Sequence, residues 1–240
     1  MNDLRRQPFS ADKNCTLVYL VRHGLTDWNQ QHRFQGQLDV PLNEVGMGQA
    51  KAVARWLGAQ PVSFSAVYTS DLSRAMQTAT AISEALGLMP ICHRELREIY
   101  CGTWQGLSIY EVEAQYPGEV ARWRDDITNH PFPGGESLTQ LQKRVFACYL
   151  DILHKHAGEA IVIVSHGAAL GVLICVALGW NLPEVWPTVR ARMGNTGVTI
   201  LRADRASGEH EMLLFNAADH LSTPTGIASA MDPPAETVAP

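Results

Sequence analysis

Two histidines in this chain share the same kind of neighbourhood. His23 ends the run Leu17-Val18-Tyr19-Leu20-Val21-Arg22 and precedes Gly24, and His166 ends Ile161-Val162-Ile163-Val164-Ser165 and precedes Gly167. A short continuous apolar run reads as a strand buried on both faces. Open α/β sheets hold their ligands at the carboxyl ends of such strands. The two imidazoles are therefore expected at one edge of one sheet, with Arg22 beside them and Gly24 turning the chain. Arg74 falls in the first turn of a helix expected after a strand at 66–69. A cation there opposes the helix dipole, and a bound anion would relieve both. Two guanidiniums and two imidazoles suit a phosphoryl group, because guanidinium binds phosphate oxygens bidentately and keeps its charge. Clustered cations lower an imidazole's pKa, and a neutral imidazole is a competent nucleophile toward phosphorus. Cleaving a phosphomonoester also needs a proton for the departing oxygen. Glu98 is the candidate donor. Asn29, Gln35 and Gly36 stand on the loop after the first strand, near the same edge.

Two other chemistries use some of these residues. His23, His166 and Glu98 could form a two-histidine, one-carboxylate metal set, although two arginines would repel a cation. Ser165 next to His166 could serve a serine hydrolase, but no G-x-S-x-G turn surrounds it.

The elements that must position these groups follow from periodicity and punctuation. A strand is expected at 15–22, then a polar loop at 25–41 with no clear period. Asn43 caps a helix reaching about residue 57, with Val45, Ala52, Val53, Trp56 and Leu57 as its apolar stripe. After the strand at 66–69, Ser70-Asp71 caps a helix closed by Gly87. A third strand spans 88–92. Short helices cover 108–116 and 120–126, split at Pro117-Gly118, and a long amphipathic helix covers 137–156. The strand at 161–164, a helix at 168–178 and two late strands at 198–201 and 212–215 complete the order. Strands alternating with helices make an α/β three-layer sandwich, a mostly parallel mixed sheet with helices on both faces. Residues 15–220 read as one domain, 1–14 as a flexible arm, and 221–240, rich in proline and alanine, as a disordered tail.

Composition narrows the partners. Hydrophobic residues make up 46% of the 240 and charged residues 18%, the balance of a soluble globular protein. The net charge of -5 argues against nucleic acid or an anionic membrane as partner. The five cysteines are odd in number and include no C-x-x-C pair, so they read as buried reduced thiols in a cytoplasmic protein. The apolar stretch 160–180 is broken at Ser165-His166-Gly167 and reads as strand, turn and helix rather than a membrane span.

Quoted together, the motifs resemble a known family. Arg22-His23-Gly24-Leu25-Thr26-Asp27-Trp28-Asn29 is similar to the R-H-G-x-T-x-W-N signature of the histidine phosphatase superfamily, the phosphoglycerate-mutase-like proteins. The likeness continues through Arg33-Phe34-Gln35-Gly36, Tyr68-Thr69-Ser70-Asp71-Leu72-Ser73-Arg74-Ala75, Leu96-Arg97-Glu98-Ile99, Gly134-Gly135-Glu136-Ser137 and Val164-Ser165-His166-Gly167, in order, over residues 16–216. The resemblance implies a metal-independent enzyme without a cofactor, acting on a small-molecule phosphomonoester. It implies His23 as the phosphorylated nucleophile and Glu98 as proton donor. Arg22, Arg74 and His166 would bind phosphoryl oxygens, with Asn29 and Gln35 lining the pocket. It also implies that a homodimer is a common arrangement. The bisphosphoglycerate-dependent mutases of this family carry a longer insertion with an R-R-S-[FY]-D-x-P-P-P stretch, which this chain lacks between Glu98 and Gly135. Leu96-Arg97-Glu98 followed by Gly102-Thr103-Trp104-Gln105-Gly106 looks more like the small phosphatases, although Gln105 stands where many of those have glutamate. A phosphatase of a sugar or organic acid phosphate is the favoured expectation. A mutase and a non-catalytic domain binding phosphorylated ligands are the alternatives. The segment 108–133, with Tyr110, Tyr116, Trp123 and Arg124, is expected to form a lid that selects the substrate.

Overall fold

The computed structural model describes residues 14–188 and 191–221. The expected arm and tail lie outside them, apart from Asn14 and Leu221. Six strands, β1 (Cys15–Arg22), β2 (Phe64–Thr69), β3 (Pro90–Cys92), β4 (Ala160–Ser165), β5 (Val198–Asp204) and β6 (His210–Ala217), form one sheet in the order β3-β2-β4-β1-β5-β6. The first four in that order run parallel, and β5 is antiparallel to both its neighbours. The helices are α1 (Asp27–Gln30), α2 (Glu44–Gly58), α3 (Ser73–Leu86), α4 (Ile109–Gln115), α5 (Glu119–Asp125), α6 (Leu138–Leu153), α7 (Gly167–Ala177) and α8 (Leu182–Val185). The expected α/β sandwich with a mostly parallel mixed sheet is the observed one.

Alternation along the strands explains their unbroken apolar runs. Leu17, Tyr19, Val21, Val162 and Val164 pack with Val53 and Leu57 of α2 and Ala75 and Ile82 of α3. Val18, Leu20, Ile161 and Ile163 point the other way, into a core shared with Leu141, Val145 and Ile152 of α6 and Leu170 and Leu173 of α7. Each such side chain, fully buried, contributes about 1.5–3 kcal/mol relative to exposure. Helix α7 is apolar all round because it is buried all round, with only Gly167 and Val176 partly exposed. At about 1.5 Å per residue its 11 residues fall well short of a bilayer core of about 30 Å. No helix among the described residues is long and apolar enough to cross a membrane.

Four local expectations are corrected. The buried face of α2 is Gly46, Gln49, Ala50, Val53, Ala54 and Leu57, while Val45 is 53% exposed. Small residues won that face because α2 presses on the exit of β1: a Cβ on Gly46 would sit 2.0 Å from the Leu25 carbonyl oxygen. Gly24 is needed for the same close approach and not for a left-handed turn, since its added Cβ would meet the Gly46 carbonyl oxygen at 2.6 Å. Helix α3 begins one residue later than expected, at the N-cap Leu72, without a side-chain cap. The 25–41 loop contains α1, capped by Thr26 in a capping box with Asn29.

Candidate active site

The parallel register of β1 and β4 decides the geometry. Arg22 pairs with Ser165, and the amide of His23 donates to the Ser165 carbonyl at 2.9 Å. The two His-Gly strand ends therefore emerge side by side, and the imidazole centroids lie 5.2 Å apart. The strand β2 ends beside β4, and the N-terminal turn of α3 then directs Arg74 to the same edge. Far from being an exposed helix residue, Arg74 is fully buried.

The proton positions at His23 follow from its partner. Nδ1 lies 2.7 Å from the Gly24 carbonyl oxygen, which can only accept, so Nδ1 carries the hydrogen and Nε2 carries the lone pair. The pKa of His23 is held well below the ordinary imidazole range, first by burial and then by the charges of Arg74 and Arg22. His166 is lowered in the same way, chiefly by burial and then by Arg74, His23 and Arg22. Burial is thus a larger cause of neutrality than the neighbouring cations from which it was expected. Arg74 Nε donates to His166 Nδ1 at 3.2 Å, which leaves the His166 hydrogen on Nε2. That Nε2 is buried without a hydrogen-bond partner, as is Arg22 Nε.

Both arginines are anchored through backbone carbonyls. Arg22 Nη1 donates to Met193 at 2.7 Å, and Arg74 donates to Leu38 at 2.8 Å and Gly36 at 2.7 Å. Burial lowers the pKa of Arg74 to about 10, opposed by the charges of Glu98 and Asp39, so it remains a cation at neutral pH. Burial lowers Arg22 as well, with Glu98 opposing. A buried cationic pair without a matching anion is costly, and a phosphoryl dianion would match it.

Glu98 stands at the N-terminus of α7. Its Oε2 accepts from the Ala168 amide at 3.1 Å, and its Oε1 accepts from Ala169 and Ile99, each at 3.0 Å. Arg22, His23, Asn29, Gln35, Gly36, Arg74 and Glu98 all line one cavity of about 50 Å³, enough for a few water-sized groups. His166 is not among its lining residues; it is fully buried against Arg74 and His23, and its Nε2 has no hydrogen-bond partner. The Asn29 Oδ1 is occupied by the Thr26 amide, the Thr26 hydroxyl and Asn195, which turns its NH2 away from them. Gln35 Oε1 is buried without a partner.

Several expectations are settled by partners. Ser165 Oγ donates to the Leu96 carbonyl at 2.6 Å, so its hydroxyl does not face an imidazole base. Cys101 lines the cavity, but burial, then Glu98 and Glu136, push its thiol well above the usual range, so it stays protonated. Cys92, expected to be buried with the other cysteines, is exposed on β3. The lid residues do not reach the cavity. Trp123 is 2% exposed within an aromatic cluster with Trp104 and Phe132, and Tyr110 is 70% exposed. The lid is tied down instead by Arg33, which donates to both Glu111 oxygens, at 2.7 and 3.1 Å, and to the Gly106 carbonyl. Sequence reasoning missed Asn195, whose Nδ2 donates to the His23 carbonyl at 3.0 Å and the Gly24 carbonyl at 3.2 Å. The Gly194-Asn195-Thr196-Gly197 turn before β5 was the only signal. Gln105, noted for standing where many small phosphatases have glutamate, accepts through Oε1 from the Gln37 amide at 2.7 Å, a bond a glutamate could equally accept.

The chain matches the sequence profile of the histidine phosphatase superfamily (branch 1) over residues 18–216. It is 35% identical over 169 residues to Phosphoserine phosphatase 1 of Hydrogenobacter thermophilus, covering 70% of this chain and 79% of that protein. It is 39% identical over 166 residues to Probable phosphoglycerate mutase GpmB of Yersinia pestis, covering 68% and 74%. Among solved structures, a mycobacterial glucosyl-3-phosphoglycerate phosphatase superposes with a TM-score of 0.75 at 32% identity, over 84% of this chain and 99% of that one.

Proposed function

The chain belongs to the histidine phosphatase superfamily, and on that premise we propose that it hydrolyses a small phosphorylated metabolite, a sugar or organic acid phosphate, through a phosphohistidine at His23. The observation that carries this reading is the Nδ1 bond of His23 to the Gly24 carbonyl, which leaves a neutral Nε2 lone pair at the cavity with Arg22 and Arg74. In the first step the Nε2 lone pair attacks phosphorus, the P–O bond to the alcohol breaks, and Glu98 gives the leaving oxygen its proton. In the second, Glu98 takes a proton from water as the water oxygen attacks phosphorus. The P–N bond then breaks and its electrons return to the imidazole. Arg22, Arg74 and the His166 Nε2–H stabilise the transferring group, and the NH2 of Asn29 and, in the other amide orientation, that of Gln35 add neutral donors. The Gly36 carbonyl contributes by holding Arg74. No step needs a metal or a cofactor.

The phosphoserine and glucosyl-3-phosphoglycerate phosphatases among the similar proteins support an organic acid or sugar phosphate as substrate. The likeness to a probable phosphoglycerate mutase supports a second reading, primer-dependent isomerisation. An assay in EDTA separates them. It uses a panel of phosphomonoesters and 3-phosphoglycerate, with and without bisphosphoglycerate, and follows free phosphate and 2-phosphoglycerate. Phosphate release without primer is expected; isomerisation only with primer would replace the phosphatase reading. A reducing, cytoplasmic setting fits the five free cysteines. A homodimer, the arrangement the resemblance implies, is tested by sedimentation velocity.

A further inference from the structure

Glu98 sits on a segment with little regular structure. Residues 94–96 form one 3-10 turn and 102–104 another, and the stretch between them belongs to no strand or helix. Asp71 grips the Arg97 side chain and Ser165 Oγ the Leu96 carbonyl, and one ion pair from two other places in the chain holds the backbone around Glu98. Arg144, on α6, donates through Nη1 to the carbonyls of Glu95 at 2.7 Å and Arg97 at 3.1 Å, and through Nη2 to the carbonyl of Glu98 itself at 3.3 Å. The same guanidinium binds Glu136 bidentately, Nε to Oε1 and Nη2 to Oε2, both at 2.9 Å. Glu136 grips the other side of the segment: its Oε2 accepts from the Tyr100 amide, and its own amide donates to the Tyr100 carbonyl, both at 2.8 Å. Backbone groups at 95, 97, 98 and 100 thus converge on one pair. Gln37 adds a bond to the Glu98 carbonyl at 3.1 Å.

We propose that Arg144 and Glu136 are positioning residues that set the Glu98 carboxyl against the leaving-group oxygen. This rests on Glu98 being the proton donor. The pair is mostly sheltered, with side chains 17% and 21% exposed. Its bidentate fork restricts rotation as a single contact would not. General acids contribute about 10²–10⁴-fold, and that contribution falls steeply with misplacement of about 1 Å. Arg144 and Glu136 touch neither the two imidazoles nor the side chains of Arg22 and Arg74, so phosphoryl binding does not depend on them directly.

The test compares p-nitrophenyl phosphate, whose leaving group needs little protonation, with glycerol phosphate, whose alkoxide needs much. Glu98→Gln is run as the reference for loss of the acid. Arg144→Met and Glu136→Gln should slow glycerol phosphate about 10- to 100-fold more than p-nitrophenyl phosphate. Inhibition by inorganic phosphate should stay within about twofold of the parent, and neither change should add to the effect of Glu98→Gln in a double variant. Equal slowing of both substrates, or effects that multiply with Glu98→Gln, would overturn the proposal while leaving the acid role intact. If Glu98→Gln itself shows no substrate difference, the proton-donor reading falls and takes this one with it. Should Arg144→Met not fold, Arg144→Lys keeps the charge but loses the fork, and the same substrate ratio decides.

Discussion

His23 keeps its hydrogen on the ring nitrogen that faces the backbone, and this decides what its substitution should do. Replacing it by alanine removes the nucleophile and not the phosphate cradle, so turnover should fall roughly 10³-fold or more while inorganic phosphate still binds. Retained turnover, read by single-turnover phosphate release, would exclude His23 as the nucleophile. The two imidazoles also make stability depend on pH. Both have native pKa values lowered below the ordinary imidazole value of about 6.5, and burial lowers His210 and His220 too. The unfolded chain therefore takes up protons before the native state does. Native stability is full above about pH 6.5 and declines as pH falls through the window below it. Melts in phosphate-free buffer between pH 8 and 5 should show that decline, and His166→Gln should make it shallower. An unchanged slope in that variant would mean His166 is not held neutral. At this scale the gathering was legible by chemical type: Arg22, His23, Arg74 and Glu98 line one cavity, and His166 packs against Arg74 and His23. Asn195 was not, because an asparagine in a Gly-rich turn has the same appearance whether it caps a loop or orients a catalytic backbone.

Elements transmit these positions. The 25–41 loop turns at Gly36, whose φ is +52° and whose added Cβ would lie 2.2 Å from Gln105 Oε1. Its carbonyl holds Arg74. Gly36→Ala should therefore cost about 1–3 kcal/mol of stability and weaken inhibition by phosphate. Adding Gln105→Ala removes the clash but not the backbone strain. Full recovery in the double variant would mean the contact dominates, and none would mean the dihedral does. The strands that carry the histidines could be read because runs with two buried faces leave no ambiguity of phase. The face of α2 was legible only at Val53 and Leu57, because its other inward residues are Gly46, Gln49, Ala50 and Ala54, mostly small and set by closeness to β1 rather than by hydrophobicity. Among the aromatics of 108–133, Trp123 is core: its size fills a cluster with Trp104 and Phe132.

Across the molecule, the 108–133 segment and the 25–41 loop meet where Arg33, at the cavity's lining, binds Glu111. Glu111 also caps α4 through Ser108, and these bonds lower its pKa to about 2. Glu111→Gln should loosen the lid, measured as faster hydrogen exchange in 107–116, and should shift KM between substrates of different size. Unaltered exchange there would show that the bridge between Arg33 and Ser108 suffices alone. Fold class, strand order in sequence and the chemical groups were legible; which side chains the lid turns inward was not, because that depends on tertiary packing with no period along the chain.

The β1–β4 pairing has a consequence in time as well as space. His23 and His166 are 143 residues apart along the chain, yet their strands are immediate neighbours. The loop that must close to join them is long, and long-range parallel pairing is slow to form. A nascent chain that has emerged only as far as α6 holds Arg22, His23, Arg74 and Glu98 but has no β4 to gather them. These side chains are therefore gathered only once β4 has been made.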